Sequence, residues 1–568
     1  MLIEALAADA GDRTALMRSD GSSLSRAELA RRTRLLAQRL GAFAIVPTDR
    51  VAVLAPNGID MALAARALVV TGDSPALARE IAAQRGLPLI ETGEALWATG
   101  DAPLPPTPAS DDIALVLHTS GTTSRPKQVP LSHANLVASM AHIVTALQLG
   151  ADDCALNAMP LFHIHGLVAG LLAPLAAGGR TVCAPALRLP DFFDWLDACG
   201  ATWYSAVPTM HQAVLAAAEG RRPRRPLRFV RSSSAALAPA TLAALEAHFG
   251  CPVIEAYGMT EAAHQMASNP LPPAVRKPGS VGLPAGPEIA VIDAAGVPLA
   301  TGVRGEIAIR GANVMRAYHA NPEANRSAFS HGWFRTGDEG YVDVDGYLHI
   351  TGRLKEMINR GGEKITPREI DEALLAHPDV AQAVAFAVPH PTLGEDVAAA
   401  VVPRPGSTIG PEALRAFLFD RLADFKVPSE VLLLAEIPKG PTGKVQRIGL
   451  AERLQALRTP DFVAPRDVVE DILVQCWQDV LGGDIGVHDN FFALGGDSLK
   501  ATRVVARIMS VLPVELPTAL LFRHPTVATL ADALRQTLDP SVIAEIERIL
   551  DELVPLPAAG DERDARPV

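Results

Sequence analysis

LHTSGTTSRPKQ occupies residues 117–128 and consists almost wholly of groups that can grip an anion. Thr119, Ser120, Gly121, Thr122 and Thr123 offer backbone N–H groups and hydroxyls with little bulk, and Gly121 lets the chain approach a ligand closely. Lys127 adds a point charge on a flexible stem. Such a loop suits a polyphosphate. The apolar run Ile113–His118 before it predicts a buried strand. PLSHANLVASM after it predicts a helix with Ser132 as N-cap. The G-x-x-x-x-G-K-[ST] spacing is absent, so this is not a Walker A loop. A Ser/Thr/Gly run standing alone is usually a polar surface turn, so the rest of the chain has to decide.

A chain of 568 residues is too long for one core, which predicts three or four domains. The net charge of −12, with no basic block, argues against nucleic acid as a partner. The five cysteines, Cys154, Cys183, Cys199, Cys251 and Cys476, are scattered without a C-x-x-C pair. They read as buried thiols of a reducing compartment, not as disulfides or a zinc site. The N-terminus MLIEALAADAGDR is acidic where a signal peptide would be basic, and the final ARPV is no peroxisomal address. The longest apolar run, Gly166–Ala177, is too short to span a bilayer. These features predict a cytoplasmic protein with no membrane partner.

Along the chain, Arg26–Leu40 predicts an amphipathic helix with Leu and Ala on one face and five arginines on the other. Arg50–Ala55 predicts a buried strand ended by Pro56-Asn57-Gly58, and Met61–Leu68 a second helix. PLFHIHG at 160–166 falls between a predicted strand and a long apolar helix. His163 and His165 have no third or fourth metal ligand at a recognisable spacing. Tyr204–Met210 reads as a strand and turn, and Leu227–Ala236 as a strand running into a serine loop. Val253–Glu261 reads as a strand with a polar tip. There Tyr257 can lie flat on a purine, and Thr260 and Glu261 offer oxygen ligands to Mg²⁺. Val303–Ala312 and Trp333–Asp338 predict hairpin strands, and Asn359–Glu363 a tight glycine turn. IPKGPTGKVQR at 437–447 is a Gly/Pro loop carrying Lys444. Asp467–Leu481 predicts an amphipathic helix; in DNFFALGGDSL at 489–499 the diglycine bends the chain and exposes Ser498 at a helix N-terminus, suited to a phosphodiester. Residues 541–554 predict a further helix and 555–568 a disordered tail.

In this order the motifs resemble the adenylate-forming superfamily: acyl-CoA synthetases, luciferases and peptide-synthetase adenylation domains. HTSGTTSRPK is similar to its phosphate loop and PLFHIHGL to the acyl-CoA synthetase segment at that place. AAHQMASNPLPPAVRKPGSVG at 262–282 and the run 346–374 resemble the oxalate–CoA ligase branch, and the likeness covers residues 10–455. GGDSL before an apolar helix is similar to the phosphopantetheine signature of acyl and peptidyl carrier domains, which 467–537 resembles along its length. One departure stands out: between Leu68 and Val69 about thirty residues, roughly one βα unit, are missing relative to the family.

The resemblance implies an α/β large N-terminal adenylation domain with a β-rich subdomain (1–354) and a small α/β C-terminal lid domain (355–457). A linker (458–466), an all-α four-helix carrier domain (467–537) and a tail (538–568) follow. It implies ATP, with Thr119 to Thr123 and Lys127 on the phosphates and Mg²⁺ on Glu261. Ala235 and Tyr257 would border the adenine, Asp338 the ribose, and Arg353 the ribose and phosphates. Lys355 would be the hinge. His163, Thr260, Glu261, Lys127 and Lys444 would serve adenylation, with Lys444 touching the carboxylate and α-phosphate. Gly361 and Gly362 would line a pantetheine tunnel after the lid turns. Ser232, Ser234 and His264 would face the distal carboxylate of a small acid, with His264 charged if that carboxylate lies close. Ser498 would carry 4′-phosphopantetheine, added by a phosphopantetheinyl transferase. The aspartate with which amino-acid-activating domains hold an α-ammonium is absent near His163. The implied function is ATP-dependent activation of a small carboxylic acid and its transfer to the chain's own carrier, for a downstream enzyme of secondary-metabolite biosynthesis. Two alternatives stay open: an acyl-CoA ligase releasing CoA thioester from an oxalate-like or fatty acid, and a non-catalytic scaffold. Lys127, Glu261, Asp338, Arg353 and Lys444 weigh against the scaffold.

Overall fold

Short, wholly apolar strands alternating with helices must be covered on both faces, which favours a parallel sheet between helical layers. The computed structural model describes residues 11–42, 70–71, 91–92, 107–119, 127–390, 393–439, 445, 447–458, 462–492, 494, 496, 498–536 and 548. They form two compact units, one from 1–355 with 439–445, the other from 356–438 with 446–568.

In the first unit the strands Val253–Met259, Phe229–Ser233, Trp203–Ala206, Cys154–Asn157, Arg180–Cys183 and Thr14–Arg18 lie side by side and parallel. Antiparallel strands His264–Ser268 and Leu283–Pro284 extend one edge, and Ser23–Ser25 the other. Strand alternation sends Trp203 and Phe229 to one core and Tyr204 and Val230 to the other. After Cys154–Asn157 the chain places its next strand on one side and the following one on the opposite side. Beside such a reversal, at the carboxyl ends of the strands, open α/β sheets bind ligands. A second, antiparallel sheet joins Glu288–Ile292, Gly305–Arg310, Trp333–Val342, Phe329–Ser330 and Leu348–Arg353. It contains the hairpin strands expected at 303–312 and 333–338.

Several expectations need correction. Ile113–Thr119 is not a buried strand: among the described residues it pairs only with Lys127–Ser132, antiparallel, and Ile113 is 51% exposed. The helix after it starts at His133, with Ser132 as N-cap in a capping box with Asn135. The long apolar helix after PLFHIHG begins as a π-helix, His165–Leu172, and closes with the short helix Ala173–Ala176. The turn after Trp203–Ala206 is the helix Pro208–Ala217. On the helix Arg26–Ala42, Arg26 is not on the solvent face; it is buried and donates to the carbonyls of Leu175 and Gly179. The strand at 50–55, the helix at 61–68, the shortened βα region and the tail beyond 548 lie outside the described residues.

In the second unit, Glu363–Ile365, Ile358–Arg360, Gly394–Pro403, Val380–His390 and Glu430–Leu433 form one sheet. The helices Pro367–Leu375 and Pro411–Phe419 accompany it. After the short helices Leu450–Arg453 and Gln455–Arg458, the described residues form the helices Val468–Leu481, Ser498–Val511, Thr518–Arg523 and Val527–Arg535. They enclose a separate apolar core around Trp477 and Phe491, whose rings meet edge to face at 5.1 Å. The cysteines are all free and buried, and no helix among the described residues is long and apolar enough to cross a membrane.

Candidate functional site

Two clusters of buried polar groups occupy the carboxyl ends of the first unit's strands. The first gathers around Glu261, which follows Val253–Met259 in a single 3-10 turn, Thr260–Ala262. Burial pushes the Glu261 carboxyl above its ordinary range, and the Tyr318 hydroxyl donates to its Oε1 at 2.8 Å. Lys127 stands over the Tyr318 ring with Nζ 4.4 Å from the centroid, a cation–π contact. Burial and the charge of Lys355 hold the Lys127 ammonium below its ordinary pKa, against the pull of Glu261. Lys127 pairs in register with Thr119 across the hairpin, so the two ends of the phosphate-loop motif meet at this place. Ser120, Gly121, Thr122 and Thr123 between them, and Lys444, lie outside the described residues.

Next to this cluster, strand pairing sets Asp338 opposite Arg353. Arg353 Nε donates to Asp338 Oδ1 at 2.7 Å, and the buried Tyr257 hydroxyl donates to Oδ2 at 2.5 Å. The residues expected to hold adenine and ribose are thus brought together, and Asp338 links them. Thr260 is half-buried, and Ala235 and Lys355 are exposed. Gly361 and Gly362 form the exposed turn of the hairpin between Ile358–Arg360 and Glu363–Ile365 in the second unit.

A Mg²⁺ ion is a hard cation that takes oxygen ligands. Among the described residues no group of three His, Cys, Asp or Glu side chains could hold a metal. Glu261, a buried carboxylate beside the phosphate-loop lysine, fits an ion that draws most of its oxygens from nucleotide phosphates and water.

The second cluster spans the reversal point of the sheet. Arg231, on Phe229–Ser233, has no exposed surface. Its Nη2 donates to His264 Nε2 at 3.1 Å and to Gln265 Oε1 at 3.0 Å. Its Nη1 lies 3.5 Å from His165 Nε2 and 3.4 Å from Ser205 Oγ. His165 Nδ1 meets Ser234 Oγ at 3.1 Å, its Nε2 meets Ser205 Oγ at 2.6 Å, and its ring stacks on His264 at 5.0 Å. A guanidinium only donates, so His264 Nε2 accepts and His264 is neutral beside it. Burial alone pushes the Arg231 pKa well below its ordinary value, down to about 9. None of its four partners is a carboxylate, and its Nε has no hydrogen-bond partner.

The backbone bends to build this cluster. Ser234 and His264 have φ of 74° and 96°, and Ala263 has 48°. Non-glycine residues in that region cost on the order of 1–3 kcal/mol each and collect at ligand sites. The π-helix that carries His165 is also a form found mostly at functional positions. Gly258 makes the bend possible: a Cβ there would collide with the His264 carbonyl oxygen.

The structure revises the expected acid pocket. Ser234 and His264 belong to the cluster. Ser232 lies on the opposite face of the strand from Arg231, its buried hydroxyl without a hydrogen-bond partner. His163 is half-buried and its Nδ1 accepts from the His165 N–H; His165, not His163, enters the cluster. Arg231 brings a charge to the cluster that the sequence reading did not include. Sequence reasoning passed over Arg231, Ser205, Gln265 and Tyr318. The available signal was the arginine in LRFVRSSS: a cation inside an otherwise apolar parallel strand must meet a partner.

In the carrier helices, Ser498 opens Ser498–Val511. Gly496 is buried against Phe491, and a Cβ there would strike the Phe491 ring. The second glycine of GGDSL therefore lets the loop sit on the carrier core. Leu494 and Leu499 on either side of Ser498 are 38% and 64% exposed.

Residues 69–319 match the AMP-binding enzyme family, 369–444 its C-terminal domain and 471–534 the phosphopantetheine attachment site. The oxalate–CoA ligase of Arabidopsis thaliana is 51% identical over 344 residues, 59% of this chain and 66% of the relative. The sulfoacetate–CoA ligase of Cupriavidus necator is 45% identical over 391 residues, 66% of this chain and 76% of the relative. Among solved structures, ATP-bound MatB from Rhodopseudomonas palustris superposes with a TM-score of 0.73 at 30% identity, covering 80% of this chain and 99% of MatB. The chain therefore belongs to the AMP-binding, adenylate-forming enzymes that join acids to thiols, and it carries a phosphopantetheine attachment domain after the lid.

Proposed function

We propose that the chain uses ATP to turn a small acid bearing a second anionic group into an acyl adenylate, and passes the acyl group to its own carrier domain. The observation that carries the acid class is Arg231: a fully buried guanidinium whose partners are all neutral. A buried charge is costly unless paired, and a second carboxylate or sulfonate would supply the pair. A long aliphatic chain would leave that charge uncompensated. Relatives named for oxalate and sulfoacetate, both acids with two anionic groups, support the reading.

In the first step a carboxylate oxygen of the acid bonds to the α-phosphorus of ATP, and the bond to pyrophosphate breaks. Lys127 and Lys444 offset the charge gathering on the phosphates. Asp338, Arg353 and Tyr257 fix the nucleoside, and Arg231 with His165, His264 and Ser234 fixes the far end of the acid. Glu261 would hold Mg²⁺, which supplies charge neutralisation to the phosphates when bound. In the second step the acyl–phosphate bond breaks, releasing AMP, and the acyl group goes to sulfur. The arm on Ser498 supplies that thiol, and tethering raises its effective concentration over free CoA.

The test is pyrophosphate exchange with oxalate, malonate, a short hydroxy acid and octanoate side by side, followed by radiolabelled acid with the arm-bearing protein and free CoA together. Exchange with the diacids and label that stays on the protein are expected. Octanoate as the best substrate would reject the acid class, and label leaving on CoA would replace carrier loading with CoA ligation.

A further inference from the structure

Within the second unit, Arg415, His390 and Asn490 reach between the lid and the carrier helices, each to a backbone carbonyl. Arg415, on the lid helix Pro411–Phe419, is buried and donates through Nη2 to Phe522 O at 2.6 Å. Its Nη1 reaches Arg523 O at 3.4 Å, and its Nε holds Pro428 O at 2.9 Å within the lid. Phe522 and Arg523 close the carrier helix Thr518–Arg523. The last carbonyls of a helix lack intrahelical partners and sit at its negative end, so a guanidinium suits them. His390 of the lid, also buried, bonds from Nε2 to Phe492 O at 2.7 Å. Its Nδ1 accepts from the Leu393 N–H at 3.1 Å, so the proton sits on Nε2 and is donated to the carrier. In the other direction, Asn490 Nδ2 of the carrier donates to Ser429 O of the lid at 2.7 Å. Asn490 Oδ1 takes the Phe492 N–H at 2.9 Å, and the Phe492 ring packs on Phe522 at 4.9 Å. The carrier's two points of contact are thus joined to each other.

Asn490 and Phe492 belong to the segment that runs into Ser498. Leu494 and Leu499, which flank Ser498, remain exposed. The lid therefore holds the base of the loop and leaves its neighbours at Ser498 open. Arg415 also gives up hydration for carbonyls that the carrier provides, a trade that makes sense only if the carrier stays.

We propose that Arg415, His390 and the Ser429 carbonyl form a docking face for the chain's own carrier, so that lid and carrier move as one body with the Ser498 end uncovered. This claim does not depend on which acid is activated.

Hydrogen exchange of the full chain tests it, comparing wild type with Arg415→Ala, His390→Gln and Asn490→Ala. In Arg415→Ala, amides of 490–494 and 520–526 should exchange about tenfold faster, the scale of one charged hydrogen bond. Those of Val468–Leu481 should not change, because the carrier core is intact. His390→Gln, which keeps an N–H donor, should stay near wild type. Asn490→Ala, made on the carrier, should speed exchange in the lid around 428–431. If Arg415→Ala disturbs the lid itself, Asn490→Ala carries the test from the other side. Unchanged exchange across the contact in Asn490→Ala, with or without a change in Arg415→Ala, would overturn the docking. Arm attachment to Ser498 by a phosphopantetheinyl transferase should run at the wild-type rate in all variants. A faster rate in Arg415→Ala would show that docking covers the Ser498 end, and would overturn that half of the proposal.

Discussion

Replacing Arg231 by methionine should move stability and activity in opposite directions. The guanidinium is fully buried and burial pushes its pKa from the ordinary arginine value down to about 9. That difference corresponds to roughly 5 kcal/mol of cost for holding the charge inside. Methionine removes the cost but leaves His264 Nε2 and Gln265 Oε1 without a donor, which returns about 1–3 kcal/mol for each. The free protein should therefore change by between about 1 kcal/mol lost and about 3 kcal/mol gained, centred on a small gain, as when a buried ion is exchanged for an apolar side chain. A diacid loses its charge-assisted pair, about 2–3 kcal/mol, so kcat/KM for oxalate or malonate should fall roughly 30- to 150-fold. KM for ATP should not move, because the nucleotide cluster uses other residues. Thermal melting of the free protein and pyrophosphate exchange with varied acid and varied ATP check this. If stability falls beyond that range together with diacid activity, Arg231 is a structural group and the acid assignment fails. If diacid kcat/KM is unchanged, the second anion sits elsewhere.

Lys444→Ala should abolish pyrophosphate exchange yet spare carrier loading from a supplied acyl adenylate, because its loop serves only the first step; equal loss in both half-reactions would reject that role. Treatment with a phosphopantetheinyl transferase should raise the intact mass by one arm, and Ser498→Ala should show no rise while adenylation continues. His211 is fully buried beside the Tyr204 hydroxyl, and burial lowers its pKa from 6.5 to about 4. The unfolded chain binds the extra proton first, so this stability is present above pH 6.5 and is lost as pH falls toward 4, by about 3 kcal/mol in all. Denaturant midpoints from pH 4 to 7 should show that slope, and His211→Gln should flatten it.

The motifs were legible because each is local. Ser132 caps its helix, Glu261 ends its strand and Gly361–Gly362 turn their hairpin through contacts among near neighbours in the chain. Family membership followed from the order of such motifs. Other residues take their surroundings from the packing of distant segments. His163 and His165 are equivalent as letters; only the π-helix turns His165 toward Ser205, forty positions along the chain. Ser232 and Ser234 differ by two places, yet positive φ at Ser234 brings it to His165 while Ser232 points away.

Sequence by itself determined the family and the presence of a carrier domain, because those signatures are short runs whose backbone geometry is set by their own glycines, prolines and caps. Tertiary structure alone decided which groups surround Arg231 and Arg415. Arg231 meets His165 and His264 across three strands, and Arg415 meets Phe522 more than a hundred residues away. A polar side chain's role is fixed by whichever groups share its burial, and only packing distant segments together determines those groups.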